Sequence, residues 1–248
     1  MSRNDAAVEG AACPLEPSSG TEAKRKQAAP STALNSAHPI YFANPHQPVR
    51  KTLNKLPHWE QDGATYFFTW RLDDSIPGHL RRQWMEERTE WILENPKPWS
   101  EETESDYHQR FSARVERWLD TGFGACVLRQ PECRSIVEEN LHCFDGQRCV
   151  HHAWVIMPNH VHTLTSLCPG WHMEQLLHTW KGYTSLRINR LLGQSGELWQ
   201  EDYYNRLIRD GPHFDRVSRY IQRNPVKAKL SENEFALYVH PDRHRYAF

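Results

Sequence analysis

The chain lacks any stretch approaching the roughly 18 to 20 consecutive apolar residues that a bilayer requires, which sets membrane insertion aside. Its opening residues, MSRNDAAVEG, lack the apolar run of a signal peptide. Six cysteines, at positions 13, 126, 133, 143, 149 and 168, form neither a CxxC pair nor a regular framework. Reduced structural thiols in a cytoplasmic protein are therefore expected. A basic excess is also missing, since the formal net charge is −1 with a pI near 6.9, and a globally basic, histone-like protein is excluded.

What the chain does have is charge of both signs, unevenly placed. Residues 86 to 106 carry eight acidic groups against two basic ones, whereas residues 181 to 230 carry ten Lys and Arg against five Asp and Glu. Such asymmetry suits a soluble protein with one face turned to a polyanion, and equally suits solvated helix faces. Residues 1–45 are rich in Ala, Ser, Pro and charge and poor in large apolar groups, so a disordered tail is expected there. Residues 46–248 are long enough for one elaborated domain.

Hydrophobic periodicity interleaves strands and helices. ATYFFTWRL reads as a buried strand after a turn at Gly63, and RCVHHAWVIM and HVHTLTSL read as two strands joined through the tight turn Pro158-Asn159. ACVLR reads as a short strand, LWQEDYYNRLIR as extended. Helical spacing marks GHLRRQWMEERTEWILEN, DYHQRFSARVERWLD, PECRSIVEENLHCF, MEQLLHTWKGYTSLRINRLL and PHFDRVSRYIQRN, the last expected to stop at Pro225. A hairpin implies antiparallel pairing. The expected fold class is α+β, a mainly antiparallel sheet with helices packed on it.

The chemistry concentrates in WVIMPNHVHTL. Alternation along a strand puts His160 and His162 on one face and Val161 on the other, which suits two nitrogens converging on one divalent ion. Two ordinary polar residues on a strand would leave the same spacing. In RYIQRNP, Tyr220 and Asn224 stand at i,i+4 and share a helical face. There Asn224 offers an amide oxygen to a hard cation, and Tyr220 a hydroxyl that could attack a metal-bound phosphate. A core tyrosine and a helix-terminal asparagine would look the same. Lys181, Arg206 and Arg209 are the leading candidates for phosphate contacts, with Tyr203 and Tyr204 as platforms for unstacked bases.

Taken together, AWVIMPNHVHTL, WKGYTSLRINRLL, LWQEDYYNRLIRD and YIQRNPVKAKL resemble, in order and spacing, the single-tyrosine HUH transposases of the IS200-like superfamily, particularly the REP-associated tyrosine transposase branch. The resemblance runs from about residue 55 to 230, with 78–120 standing out as a helical insertion. It implies a ferredoxin-like HUH fold and a Mg2+- or Mn2+-dependent enzyme, monomeric or homodimeric. Such an enzyme cuts and rejoins single-stranded DNA beside a hairpin or palindromic repeat through a 5′-phosphotyrosine. On this chain it implies His160, His162 and Asn224 as metal ligands and Tyr220 as nucleophile, with Tyr203 and Tyr204 as competitors for that role. A histidine-triad hydrolase would need a further histidine where Leu164 stands. The alternative of another class is a catalytically silent protein of the same descent that binds folded single strands.

Overall fold

A computed structural model describes residues 40–53 and 57–241. Residues 1–39 of the expected tail lie outside the described residues. The stretch that follows is docked, with Ile40 buried and the Ala43 amide donating to the Ile208 carbonyl at 2.8 Å.

The elements run β1 (Arg50–Leu53), β2 (Pro57–Glu60), β3 (Thr65–Arg71), α1 (Gly78–Glu94), α2 (Glu101–Tyr107), α3 (Ala113–Asp120), α4 (Pro131–Cys143), β4 (Cys149–Ile156), β5 (His160–Leu167), α5 (Met173–Leu192), β6 (Tyr204–Leu207), α6 (Gly211–Lys227) and β7 (Ala236–Val239). β1 and β2 form a small hairpin, and the other strands form one antiparallel sheet in the order β6-β3-β5-β4-β7. The expected mixed fold with an antiparallel sheet is therefore the observed one.

β5 is central and buried along its whole length, so its two faces serve two different layers. Tyr66, Phe68, Trp70, Trp154, Ile156 and Val161 point to one side, where they pack with Trp180 and the leucines of α5 and with residues of α4. Phe67, Val155 and Leu164 point to the other, under Phe214 and Ile221 of α6. Each strand residue alternates sides, so the single-residue register of β3 on β5 decides which layer every side chain joins. That register pairs Thr69 with His162 and Arg71 with His160.

Helices α1 to α3 form an outlying unit with an aromatic cluster of its own. Phe111 is fully buried, with its ring centroid 6.2 Å from Trp84, 5.8 Å from Trp91 and 5.3 Å from Tyr107. Between α2 and α3 the chain passes through a π-helical segment, His108–Ser112, a geometry often found at functional sites. The unit is latched to the sheet by Glu104 on Arg209 (2.7 Å), Asp120 on Lys227 (2.8 Å) and Asp74 Oδ2 on the Ala125 amide (2.7 Å).

Four local expectations are corrected. ACVLR is a 3-10 turn at Val127–Arg129 in place of a strand, because Cys126 takes a left-handed backbone (φ 49°) that breaks extension. LWQEDYYNRLIR is strand only at Tyr204–Leu207. α6 runs through Pro225 to Lys227, since a proline in the last turn removes a single helical hydrogen bond and the next turn still closes from the Ala228 amide to the Asn224 carbonyl (3.0 Å). Cys126, Cys133, Cys149 and Cys168 are free thiols, but Cys143 is disulfide-bonded, against the expectation for all six.

The core holds several histidines in neutral form. Burial lowers the pKa of His151 to about 4, of His152 to about 3 and of His213 to about 4. Below pH 6.5 the unfolded chain takes up protons that these folded sites refuse, so stability falls as pH drops from about 6.5 toward 4 and is unaffected by these groups above that window. Urea unfolding midpoints at pH 7 and pH 5 will show the loss, and equal midpoints would refute it. His152→Gln will reduce the slope.

Candidate active site

The turn Met157-Pro158-Asn159-His160 closes the β4-β5 hairpin with the Met157 amide donating to the His160 carbonyl at 2.8 Å. Pro158 suits the second position of such a turn because its φ is preset. Asn159 then does a second job. Its side-chain Nδ2 donates to the carbonyls of Leu119 and Phe123 at 3.2 and 3.3 Å, which leaves Oδ1 facing His160 Nδ1 at 2.7 Å. The carbonyl oxygen only accepts, so His160 carries its proton on Nδ1 and presents a bare lone pair at Nε2.

His162, the next residue on that face, has Nδ1 on Thr69 Oγ1 at 2.7 Å. The Nε2 atoms of the two imidazoles face each other at 3.1 Å. Burial, then Arg71, lowers the pKa of His160 to about 3, and burial, then His160, holds His162 well below its ordinary value. Both rings are therefore neutral at physiological pH, the form in which imidazole binds a metal.

α6 lies across this face and brings Tyr220 over the pair. The tyrosine hydroxyl is 3.4 Å from His162 Nε2, and its ring meets those of Phe67 and His162 edge-on at 5.8 and 5.3 Å. Burial, followed by the Glu116 carboxylate of α3, pushes the Tyr220 hydroxyl well above the usual phenol range. Glu116 itself is raised by burial. One helical turn on, Asn224 is 1 % exposed, and its amide faces the Tyr220 hydroxyl without any closer hydrogen-bond partner among the described residues. A buried amide short of partners costs about 1–3 kcal/mol, a cost that a cation accepting its oxygen as ligand would offset.

The donor set fits a divalent ion. Among the described residues no cluster of three or more His, Cys, Asp or Glu is set to hold a metal, but here two neutral imidazoles turn their Nε2 atoms toward each other under the helix that carries Asn224. With bonds of about 2.1 Å, two nitrogens at right angles on one ion stand about 3 Å apart, which is the spacing found.

The other sequence candidates are distributed differently. Tyr204 faces the same layer, opposite Thr69, with its ring edge-on to Phe67 at 6.3 Å. Tyr203 is buried on the opposite side, stacked on His58 at 4.2 Å. Lys181 lies on α5, in the layer behind the sheet, and donates to the Glu201 carbonyl. Arg206 and Arg209 lie near the site, but both are ion-paired with Glu104, at 3.7 and 2.7 Å. Between α1 to α3 and the histidine face is a cavity of about 820 Å3 that Phe67, Arg71, Trp84, Glu116, His162 and Tyr220 help to line. Glu116 and Arg71 were not candidates from the sequence. Glu116 is one of many acids on a helical stretch, and Arg71 belongs with the pair only through strand register.

A sheet face bearing two converging imidazoles, covered by a helix that carries a tyrosine and an asparagine, defines a class of site able to hold a cation and a phosphate beside a nucleophile. Residues 129–224, somewhat under half of the chain, match the model of the family described as transposase, IS200-like. The match contains His160, His162, Tyr220 and Asn224, and excludes β3 and α1 to α3. A solved structure of a REP-associated tyrosine transposase bound to a REP hairpin is similar at 16 % identity and TM-score 0.40, over 73 % of this chain and 77 % of that one. A putative transposase from Deinococcus radiodurans R1 is similar at 14 % identity and TM-score 0.28, over 64 % and 89 %. No curated protein matches the chain. No helix among the described residues is long and apolar enough to cross a membrane.

Proposed function

We propose that this protein is a metal-dependent single-strand DNA nickase and strand transferase of the IS200-like transposase family, with Tyr220 as its nucleophile. The observation that carries the reading is the Tyr220 hydroxyl at 3.4 Å from His162 Nε2, with the buried Asn224 amide one turn away. His160, His162 and Asn224 would hold Mg2+ or Mn2+, which supplies polarisation of a phosphoryl oxygen and stabilises developing charge when bound. Tyr220 attacks the phosphorus of the bound strand, its oxygen forms the new ester, and the 3′-oxygen leaves with the bonding pair. The product is a 5′-phosphotyrosine and a free 3′-hydroxyl. Attack by a second 3′-hydroxyl reverses these steps, and bond energy is conserved throughout. Glu116, beside the hydroxyl, is the group placed to take its proton. The preference for DNA folded as a hairpin rests on the four sequence blocks shared with the REP-associated branch.

The test is incubation with hairpin-bearing single-stranded oligonucleotides and Mn2+, followed by a denaturing gel. The expected result is a covalent protein–DNA adduct that EDTA prevents. Tight hairpin binding without an adduct at any sequence or metal tried would favour the silent binding protein instead.

Asn159 supplies a subtler check, because its carbonyl sets the His160 proton on Nδ1. Loss of a group that orients a metal-binding histidine weakens the metal by about 10- to 100-fold. Calorimetric titration of Mn2+ into Asn159→Ala will show that weakening, and unchanged affinity would remove Asn159 from the site.

A further inference from the structure

The sequence points to Arg206 and Arg209 for DNA phosphates, yet both already have a carboxylate partner in Glu104. A different arginine does not. Arg71, the last residue of β3, is paired in register with His160 and lies on the same face as Thr69 and His162. It is partly buried and, among the described residues, its guanidinium donates to neutral oxygens, Ser75 Oγ at 3.0 Å and Gln200 Oε1 at 3.2 Å. Among the described residues no carboxylate stands within ion-pair distance of it.

Arg81, from α1, donates to the same Gln200 oxygen, so two guanidinium groups converge on one uncharged acceptor. The nearby acid, Asp73, is ion-paired with Arg81 at 3.4 Å and is itself 43 % exposed on its side chain, so it leaves the inner guanidinium uncompensated. Burial, with Arg81 adding to it, lowers the Arg71 pKa to about 10, which still leaves the group charged at neutral pH. Two like charges held together in a partly dry place are costly unless an anion completes them. Both line the cavity that also contains His162 and Tyr220.

We infer that Arg71, backed by Arg81, is a phosphate subsite beside the histidine pair, and that it holds the scissile phosphodiester for attack by Tyr220. A guanidinium fork matches two phosphate oxygens at once, and a preorganised charge in a water-poor site stabilises the pentacoordinate arrangement more than the ground state. Arg71 thus works alongside the residues of the family match without belonging to that segment. The anion site stands on its own geometry, and the role at the scissile phosphate rests on the reading of Tyr220 given above.

The experiment has two arms that fail separately. In the first, thermal unfolding of the full chain is followed in EDTA with inorganic phosphate against chloride at equal ionic strength. Wild type and Tyr220→Phe are expected to rise in Tm with phosphate, and Arg71→Gln to rise distinctly less. Equal rises in wild type and Arg71→Gln would overturn the subsite, and this arm needs neither metal nor chemistry. In the second, adduct formation on a hairpin oligonucleotide with Mn2+ is timed under single-turnover conditions. Arg71→Gln should slow it about 100-fold, the scale for losing one preorganised donor, and Arg71→Lys should recover part of the loss. With a neutral methylphosphonate at the scissile position the gap between wild type and Arg71→Gln should shrink toward one, which a purely structural role would not produce. An Arg71→Gln protein as fast as wild type would overturn the role at the scissile phosphate. If no protein forms an adduct while the phosphate shift persists in wild type and Tyr220→Phe but not in Arg71→Gln, the anion site holds and the strand-transfer reading falls.

Discussion

Tyr220→Phe is expected to abolish the covalent adduct while the protein keeps its fold. The ring packs edge-on against Phe67 and His162, and those contacts involve the ring faces and edges, all of which phenylalanine retains. What is lost is one oxygen, 3.4 Å from His162 Nε2. Removing a nucleophile lowers turnover on the order of 10^6-fold in well-studied hydrolases, so no adduct should be visible on a gel that reveals the wild-type band. Circular dichroism and hairpin affinity should remain near wild type. The companion variant is Tyr204→Phe, because Tyr204 faces the same layer from β6. It is expected to keep the adduct. The reverse pattern, an adduct surviving Tyr220→Phe and lost with Tyr204→Phe, would transfer the nucleophile to β6 and undo the assignment.

His162→Ala, and chelation of the wild type, are expected to have effects of comparable size. The two Nε2 atoms stand 3.1 Å apart in rings that burial keeps neutral, the charge state in which imidazole binds a metal. Removing one imidazole leaves a single nitrogen and the Asn224 amide, too few donors to hold a hard ion against water. The loss removes several kcal/mol of charge stabilisation, or roughly 10^3-fold or more in rate. Single-turnover cleavage should vanish with EDTA, return when Mn2+ is restored to wild type, and return poorly in His162→Ala. Full activity of wild type in EDTA, with metal verified absent, would show that the histidines serve another purpose. The structural cost of the variant should be moderate, since Phe67 stacks on the lost ring at 5.2 Å and can relax into the space.

Some of this was legible before any coordinates. Alternation on a strand is a local rule, so HVH placed His160 and His162 on one face, and the i,i+4 rule placed Tyr220 with Asn224. Both pairs hold, because each depends only on backbone geometry within one element. Pro158 and Asn159 announced their turn for the same reason. Pro225 misled, since the rule that proline ends a helix weighs one lost hydrogen bond without knowing that the next turn still closes. ACVLR misled because nothing in its composition announces the left-handed Cys126.

By itself, then, the sequence determined the chemistry available, its pairing within elements and the α+β class. Which residues meet across elements was decided only by the tertiary structure. Nothing local told that α6 lies over the histidine face and not the other, that Glu104 of the outlying helices neutralises Arg206 and Arg209, or that Lys181 ends up behind the sheet. Arg71 makes the point most sharply. In TYFFTWR it is one cation at the end of a strand, and only the pairing of β3 with β5 sets it opposite His160. A slip of one residue would turn it to the other layer. That register is selected by the burial of Phe67 on one side and of Tyr66, Phe68 and Trp70 on the other, a balance settled by the whole core at once.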